Sequence, residues 1–320
     1  MIIFMAVSSK HRLGYTRRIH HYAWGVVCVL LVLTMGGLWI HAQSLDVKVR
    51  SLEKQLIASQ QAEPITCRID TGWKANSTTA LKTSNGRLVD IHMPAEFKND
   101  KYYPLVLFYP GKGSSAKDGQ TYFGLDSLPA IVAYPHPTLG TDGYYAWQGA
   151  PYSSPANDVA FTSDIIDELQ SELCIDRTRI YAIGMSNGGG FVSLLSCKLS
   201  DTIAAFAIVA GAMYSPAGDC TPSRPVSLIT IHGDDDQAVP YAGSLTRKLP
   251  PIDAWAKRRA DLNGCKAPQT TKDGVRIVVT TWADCRGSTV TQSIRVIGGR
   301  HGWGDITNAR LWQFLSQSSL

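Results

Sequence analysis

Beyond residue 66 the chain alternates short apolar runs with segments whose apolar side chains return every three to four positions. GRLVDIHM (86–93), YYPLVLFY (102–109), AIVAY (130–134), RIYAIG (179–184), AFAIVAG (205–211) and VSLITIHG (226–233) are runs of the first kind. An apolar run with few polar interruptions belongs to a strand covered on both faces. Over 158–173, Val159, Ile165, Ile166 and Leu169 follow a helical period, and 187–199 reads as a second helix. VRIVVTTWA (275–283) and VTQSIRVIGG (290–299) read as two further strands, with a closing helix over 305–316. Strands separated by helices predict an α/β fold: a mostly parallel sheet flanked by helices, joined by right-handed crossovers.

The first 63 residues follow a different pattern. Tyr22 to Ile40 is nineteen residues without a formal charge, about enough to cross the hydrocarbon layer as a helix. Lys10, Arg12, Arg17 and Arg18 precede this span and no acidic residue does, so a basic segment over 1–21 is expected on the cytoplasmic side and all that follows outside. A cleaved signal peptide ending near Ala42 is the competing reading. The length of the apolar stretch favours an uncut anchor over 22–40. Leu45, Val49, Leu52 and Leu56 then recur at spacings of four, three and four, too short a stripe for a coiled coil but suited to a solvated helical stalk over 41–63. Pro64 ends it, and one domain is expected over 64–320.

Charge and cysteine content sharpen this picture. The net charge is +5, but the four basic residues ahead of the span leave only +1 for the rest, which removes the case for a nucleic-acid partner. Of seven cysteines Cys28 lies in the span, leaving Cys67, Cys174, Cys197, Cys220, Cys265 and Cys285. An even set suits disulfides in an oxidising compartment, and no CxxC pair points to zinc. Proximity along the chain suggests Cys197 with Cys220 and Cys265 with Cys285, leaving Cys67 for Cys174. Buried free thiols are the alternative.

The candidate chemistry begins in RIYAIGMSNGGG, where a strand ends in Gly184-Met185-Ser186-Asn187-Gly188 and a helix follows at once. With 28 glycines in the chain a lone GxSxG is weak, so the strand-before, helix-after context carries the argument for a nucleophile elbow at Ser186. A serine needs a base, and the base an orienting acid. In the α/β-hydrolase order of serine, acid and histidine, His301 in VIGGRHGWGD is the candidate base. Asp236 in VSLITIHGDDDQAVPY is the candidate acid. His232 reads as structural, and Asp234 and Asp235 as turn residues. Oxyanion donors are expected from the backbone N–H of Asn187 and, in the small-residue loop Pro110-Gly111-Lys112-Gly113, from that of Lys112. The Lys112 side chain is either solvated or an attractor of anionic substrate.

Together, PLVLFYPGKG, WQGAPY (147–152), DVAFTSDIIDEL, CIDRTRIYAIGMSNGGGF, the 220–241 block and GGRHGWGD resemble the polyhydroxybutyrate depolymerase and feruloyl esterase type of secreted α/β-hydrolases. The 232–241 stretch carries an HGxxDxxVPY pattern through His232, Gly233, Asp236, Val239, Pro240 and Tyr241. The resemblance, from about Cys67 onward, implies an α/β-hydrolase fold and an extracellular carboxylesterase that needs no cofactor or metal. It also implies that Trp147 and Tyr152 lie near the acyl pocket, core packing being the alternative for both, and that the partner is a small-molecule or polymer ester. Two departures stand out: Pro110-Gly111 replaces the usual His-Gly, and no separate polymer-binding domain is visible, so soluble or cell-envelope esters are favoured over insoluble polyester. A serine peptidase of prolyl-oligopeptidase type shares GxSxGG but would carry a β-propeller that is missing here. An envelope scaffold with an idle hydrolase domain is the non-enzymatic alternative.

Overall fold

The computed structural model describes residues 43, 45, 48, 49, 67, 72–215, 220–304 and 307–320. The chain divides into two units, Met1–Ile65 and Thr66–Leu320. In the first, Gln43, Leu45, Lys48 and Val49 are helical and exposed. The expected span over 22–40 lies outside the described residues, as does most of the stalk. No helix among the described residues is long and apolar enough to cross a membrane, so the anchor rests on sequence alone.

The second unit runs β1 (Thr78–Lys82), β2 (Leu88–His92), β3 (Tyr103–Tyr109), α1 (Ala116–Phe123), β4 (Ile131–Pro135), β5 (Thr138–Leu139), β6 (Tyr145–Ala146), α2 (Asp158–Glu172), β7 (Ile175–Met185), α3 (Asn187–Lys198), β8 (Ala205–Val209), β9 (Ser227–Gly233), α4 (Ile252–Asn263), β10 (Gln269–Asp273), β11 (Ile277–Trp282), β12 (Thr291–Val296) and α5 (Asn308–Leu315). Ten strands form one sheet in the order β1-β2-β4-β3-β7-β8-β9-β12-β11-β10, while β5 and β6 pair separately. From β4 to β12 every neighbouring pair is parallel; the outer pairs on both sides are antiparallel. This is the mostly parallel, helix-flanked sheet of an α/β-hydrolase.

Burial explains which strands the pattern revealed. All residues of β3, β4, β8 and β9 are buried, because helices cover both faces of the parallel segment. β10, QTTKD, is exposed throughout and closes one edge of the sheet with polar side chains, which discourages pairing with another chain. It carries no hydrophobic signal, and β1, β5, β6, α1 and α4 likewise escaped the sequence pattern. One core on the sheet includes Trp147, Phe161, Phe191 and Trp255; the other includes Phe108, Tyr134, Tyr181 and Leu311.

Local signals set the helix ends. Ser115 and Asp118 form a reciprocal capping box at the start of α1, and Gly124 stops it in the left-handed conformation with φ 62°. The Asn157 side chain caps α2 by accepting from Ala160 N–H at 3.0 Å. α3 instead begins without a side-chain cap, so the free N–H groups of its first turn remain available at Ser186. Disulfides join Cys67 to Cys174, Cys197 to Cys220 and Cys265 to Cys285, the pairing that chain proximity suggested.

Candidate active site

Strand register brings the chemistry together. Tyr109 pairs with Gly184, Met185 with Val209, Val209 with Ile231, and Gly233 with Val296. These residues mark the carboxyl ends of neighbouring parallel strands, where ligands of open α/β sheets bind. The loops that follow β3, β7, β9 and β12 carry Lys112, Ser186, Asp236 and His301.

Ser186 occupies φ 55°, ψ −120°, a conformation that costs a non-glycine residue about 1–3 kcal/mol. Three hydrogen bonds hold it there: its N–H donates to Val209 O at 2.9 Å, and its carbonyl accepts from Gly190 N–H at 3.0 Å and Ala212 N–H at 2.9 Å. The flanking glycines are obligatory. A Cβ on Gly184 would lie 2.3 Å from Gly188 O, and one on Gly188 would lie 2.0 Å from Tyr109 O.

The Ser186 Oγ lies 3.0 Å from His301 Nε2, and His301 Nδ1 lies 2.7 Å from Asp236 Oδ2. Asp236 is buried, and its Oδ1 accepts the N–H groups of Ala238 and Val239, each at 2.8 Å. Burial by itself would raise its pKa. Hydrogen bonds from His232, His301 and Val239 N–H outweigh that effect and hold the carboxyl well below the usual carboxylate range. An ionised carboxylate only accepts, so His301 Nδ1 carries the proton and Nε2 is left to accept from Ser186 Oγ–H.

His232 contributes more than the structural role read from sequence. Its side chain is wholly buried, and Nε2 lies 2.8 Å from Val239 O and 3.2 Å from Asp236 Oδ2. Both partners accept, so Nε2 carries the proton and its N–H is shared between them. Nδ1 is buried with no hydrogen-bond partner among the described residues. Asp234 is a turn residue, as expected: it accepts from Gly298 N–H at 2.7 Å and Arg295 Nε–H at 3.1 Å, tying the acid loop to the loop that presents His301.

On the other side of Ser186, a Cβ built on Gly111 would lie 3.2 Å from Ser186 Cβ and 3.8 Å from Oγ, so the backbone of this loop runs directly against the serine. Trp147 takes the core alternative. Its indole is fully buried, stacked on Phe191 at 5.6 Å, and presents no surface to solvent. Instead its Nε1–H donates to Pro110 O at 3.0 Å, its backbone N–H donates to Asn187 Oδ1 at 2.7 Å, and its carbonyl accepts from Asn187 Nδ2–H at 3.3 Å. Trp147 thus braces both segments expected to supply oxyanion donors, and the Asn187 side chain is committed to that brace. The WQGAPY stretch marked Trp147 as special; only packing revealed why.

The Lys112 ammonium forms an ion pair with Asp142, whose carboxyl it holds below the ordinary range through that contact, and sits 4.3 Å from the Tyr152 ring centroid. Its charge is therefore already matched. Tyr152 is half-buried, meets Tyr214 edge to face at 6.0 Å, and lines a cavity.

A mostly parallel sheet bearing a strand–elbow–helix serine hydrogen-bonded through histidine to aspartate defines an α/β-hydrolase. No known family profile matches the chain. Feruloyl esterase B of Piromyces equi is 32% identical over 249 residues, covering 73% of this chain and 46% of that protein. Probable feruloyl esterase C of Aspergillus terreus is 25% identical over 221 residues, covering 66% of this chain and 73% of that protein. The solved acetyl xylan esterase from Aspergillus awamori superposes with a TM-score of 0.59 at 14% identity, covering 75% of this chain and 99% of that one, which is agreement of fold. The chain is similar to the feruloyl esterase type of α/β-hydrolases, and it spans about half the length of the Piromyces relative.

Proposed function

We propose that this protein hydrolyses carboxylic esters through Ser186, His301 and Asp236, by way of an acyl-enzyme, on the outer side of a membrane to which residues 22–40 anchor it. One observation carries the proposal: the unbroken hydrogen-bonded line from Asp236 through His301 to Ser186 at the carboxyl edge of the sheet. Ser186 Oγ attacks the ester carbonyl as its proton passes to His301 Nε2. The C–O bond to the alcohol then breaks, and His301 returns that proton to the leaving oxygen. Water, deprotonated by the same nitrogen, attacks the acyl carbon and frees Ser186 with the carboxylic acid. The backbone N–H groups of Asn187 and Lys112 receive the transient oxyanion. Relatives named feruloyl esterase and acetylxylan esterase make aromatic acyl and acetyl esters the first substrates to try. The three disulfides and the basic flank ahead of residue 22 support placing the domain over 64–320 outside.

The test is the full-length protein, detergent-solubilised, assayed on para-nitrophenyl acetate and methyl ferulate. Ser186→Ala should lower kcat by roughly six orders of magnitude and abolish labelling by a fluorophosphonate probe. Retention of the wild-type rate in that variant, or no turnover by the parent, would refute the proposal.

A further inference from the structure

Residues 136–148 leave the sheet after β4, form the β5–β6 hairpin and lead towards α2. This excursion grips the loop after β3 at three points. Trp147 Nε1–H donates to Pro110 O at 3.0 Å, Tyr145 O accepts from Gly113 N–H at 2.8 Å, and Asp142 pairs with the Lys112 ammonium. Lys112, the expected oxyanion donor, lies between the two backbone contacts. The place of its N–H is therefore set by the excursion, and the place of the excursion by whatever holds its two ends.

Both ends meet one ion pair. Arg87, in the turn between β1 and β2, donates through one terminal nitrogen to His136 O at 2.9 Å and through the other to Asp158 Oδ1 at 2.7 Å. Asp158 is buried at the start of α2, and its Oδ2 accepts from Gln148 N–H at 2.7 Å. The guanidinium lies over the Phe161 ring, 3.7 Å from its centroid, which fixes its plane. Asn157 caps α2, so both carboxylate oxygens of Asp158 serve partners outside the helix. A second path runs through its backbone: Thr162 Oγ1–H donates to Asp158 O at 2.9 Å, and Thr162 Oγ1 therefore accepts from the Tyr109 hydroxyl at 2.9 Å. Tyr109 immediately precedes Pro110. Charge-assisted hydrogen bonds are the short, strong kind, and a planar guanidinium fixes two acceptors relative to each other. Burial raises the Asp158 carboxyl pKa and Arg87 opposes that effect, so the charge on the acid depends on its partner.

We propose that Arg87 and Asp158 are positioning residues of the oxyanion hole: by clipping together the two ends of the 136–148 excursion, they hold the Pro110–Gly113 backbone where a tetrahedral oxyanion on Ser186 meets it. The inference deepens the ester-hydrolase reading and rests on it. Neither residue touches substrate. Each acts through Gln148, Trp147 and the hairpin on the loop that does.

The experiment assays the full-length protein and its Asp158→Asn and Arg87→Lys variants on para-nitrophenyl acetate. Rates are taken per site labelled at completion by a fluorophosphonate, so that unfolded molecules do not count. In Asp158→Asn one amide oxygen replaces two acceptors, and the amide N–H group faces the remaining donor. In Arg87→Lys the charge stays but the fork that spans His136 O and Asp158 is lost. The kcat should fall about tenfold to a hundredfold in Asp158→Asn, the scale of a misplacement of about 1 Å, and about threefold to tenfold in Arg87→Lys. KM should stay within about twofold of the parent value, since donors to the oxyanion act in the transition state. A trifluoromethyl ketone, whose adduct with Ser186 puts an oxyanion on the same donors, should lose affinity by a factor matching the fall in kcat. Parent kcat in Arg87→Lys, a loss carried by KM alone, or unchanged affinity for the ketone would overturn the inference while leaving the hydrolase reading intact. If Asp158→Asn yields no labelled protein, Arg87→Lys decides by the same criteria, because its site is partly exposed and the positive charge is kept. Absence of turnover by the parent would instead remove the hydrolase reading on which the inference depends.

Discussion

The two sides of Ser186 are built from different materials. Toward the histidine, a buried carboxylate is held by two backbone N–H groups and two imidazoles, so negative charge is fixed behind His301. Toward the oxyanion loop the bonds are neutral, and Trp147 and Asn187 satisfy one another so that the backbone donors stay free. In the proposed reaction the contrast means that an imidazolium would be stabilised by a permanent charge, whereas a transient oxyanion would meet dipoles held in place beforehand.

The largest break in this comparison should come from Asp236→Asn. It keeps the volume but removes the charge and the tautomer control, and kcat on para-nitrophenyl acetate should fall by roughly four orders of magnitude. Trp147→Phe probes the neutral side. The ring still fills the core against Phe191, but Pro110 loses the indole donor at 3.0 Å. A loosened oxyanion loop should lower kcat by about tenfold to a hundredfold with little change in KM, since positioned donors act in the transition state; an equal rise in KM would show that the brace serves substrate binding.

His232→Gln should have the smallest effect on rate and the clearest effect on pH dependence. Asp236 has a folded pKa below its unfolded value of about 3.9. Its stabilising contribution is therefore complete above about pH 4 and is lost as the pH falls through the lowered folded value. Removing the His232 hydrogen bond raises the folded pKa toward the unfolded one, so less stability is gained from the ionised carboxylate. Acid unfolding followed by circular dichroism should then begin at a higher pH than in the parent, with about 1–3 kcal/mol of stability lost near neutrality if the Val239 carbonyl is left without a donor. An unchanged acid midpoint would assign His232 to packing alone.

The parallel centre of the fold was legible because β3, β4, β8 and β9 are buried throughout and so spell continuous apolar runs. The edge strand β10 was not, because an exposed polar strand leaves no periodic trace. Helix α4 was missed for a related reason. Its inner face includes Arg259 and Asn263, buried polar residues that break the apolar stripe. Arg259 finds Ser196 Oγ at 2.8 Å, and Asn263 bonds both backbone groups of Val226. Such pairings span dozens of residues and cannot be seen along the chain.

The sequence alone determined the nucleophile turn, because the close approaches at Gly184 and Gly188 exclude any side chain and so leave a local signature around Ser186. It also carried the chain order of Ser186, Asp236 and His301. Tertiary structure alone decided that Trp147 is a brace, that His232 meets Asp236, and that Lys112 is paired with Asp142. The reason is physical: a turn is specified by the space next to its own backbone, whereas a side chain's role depends on which distant charge or donor the fold brings against it.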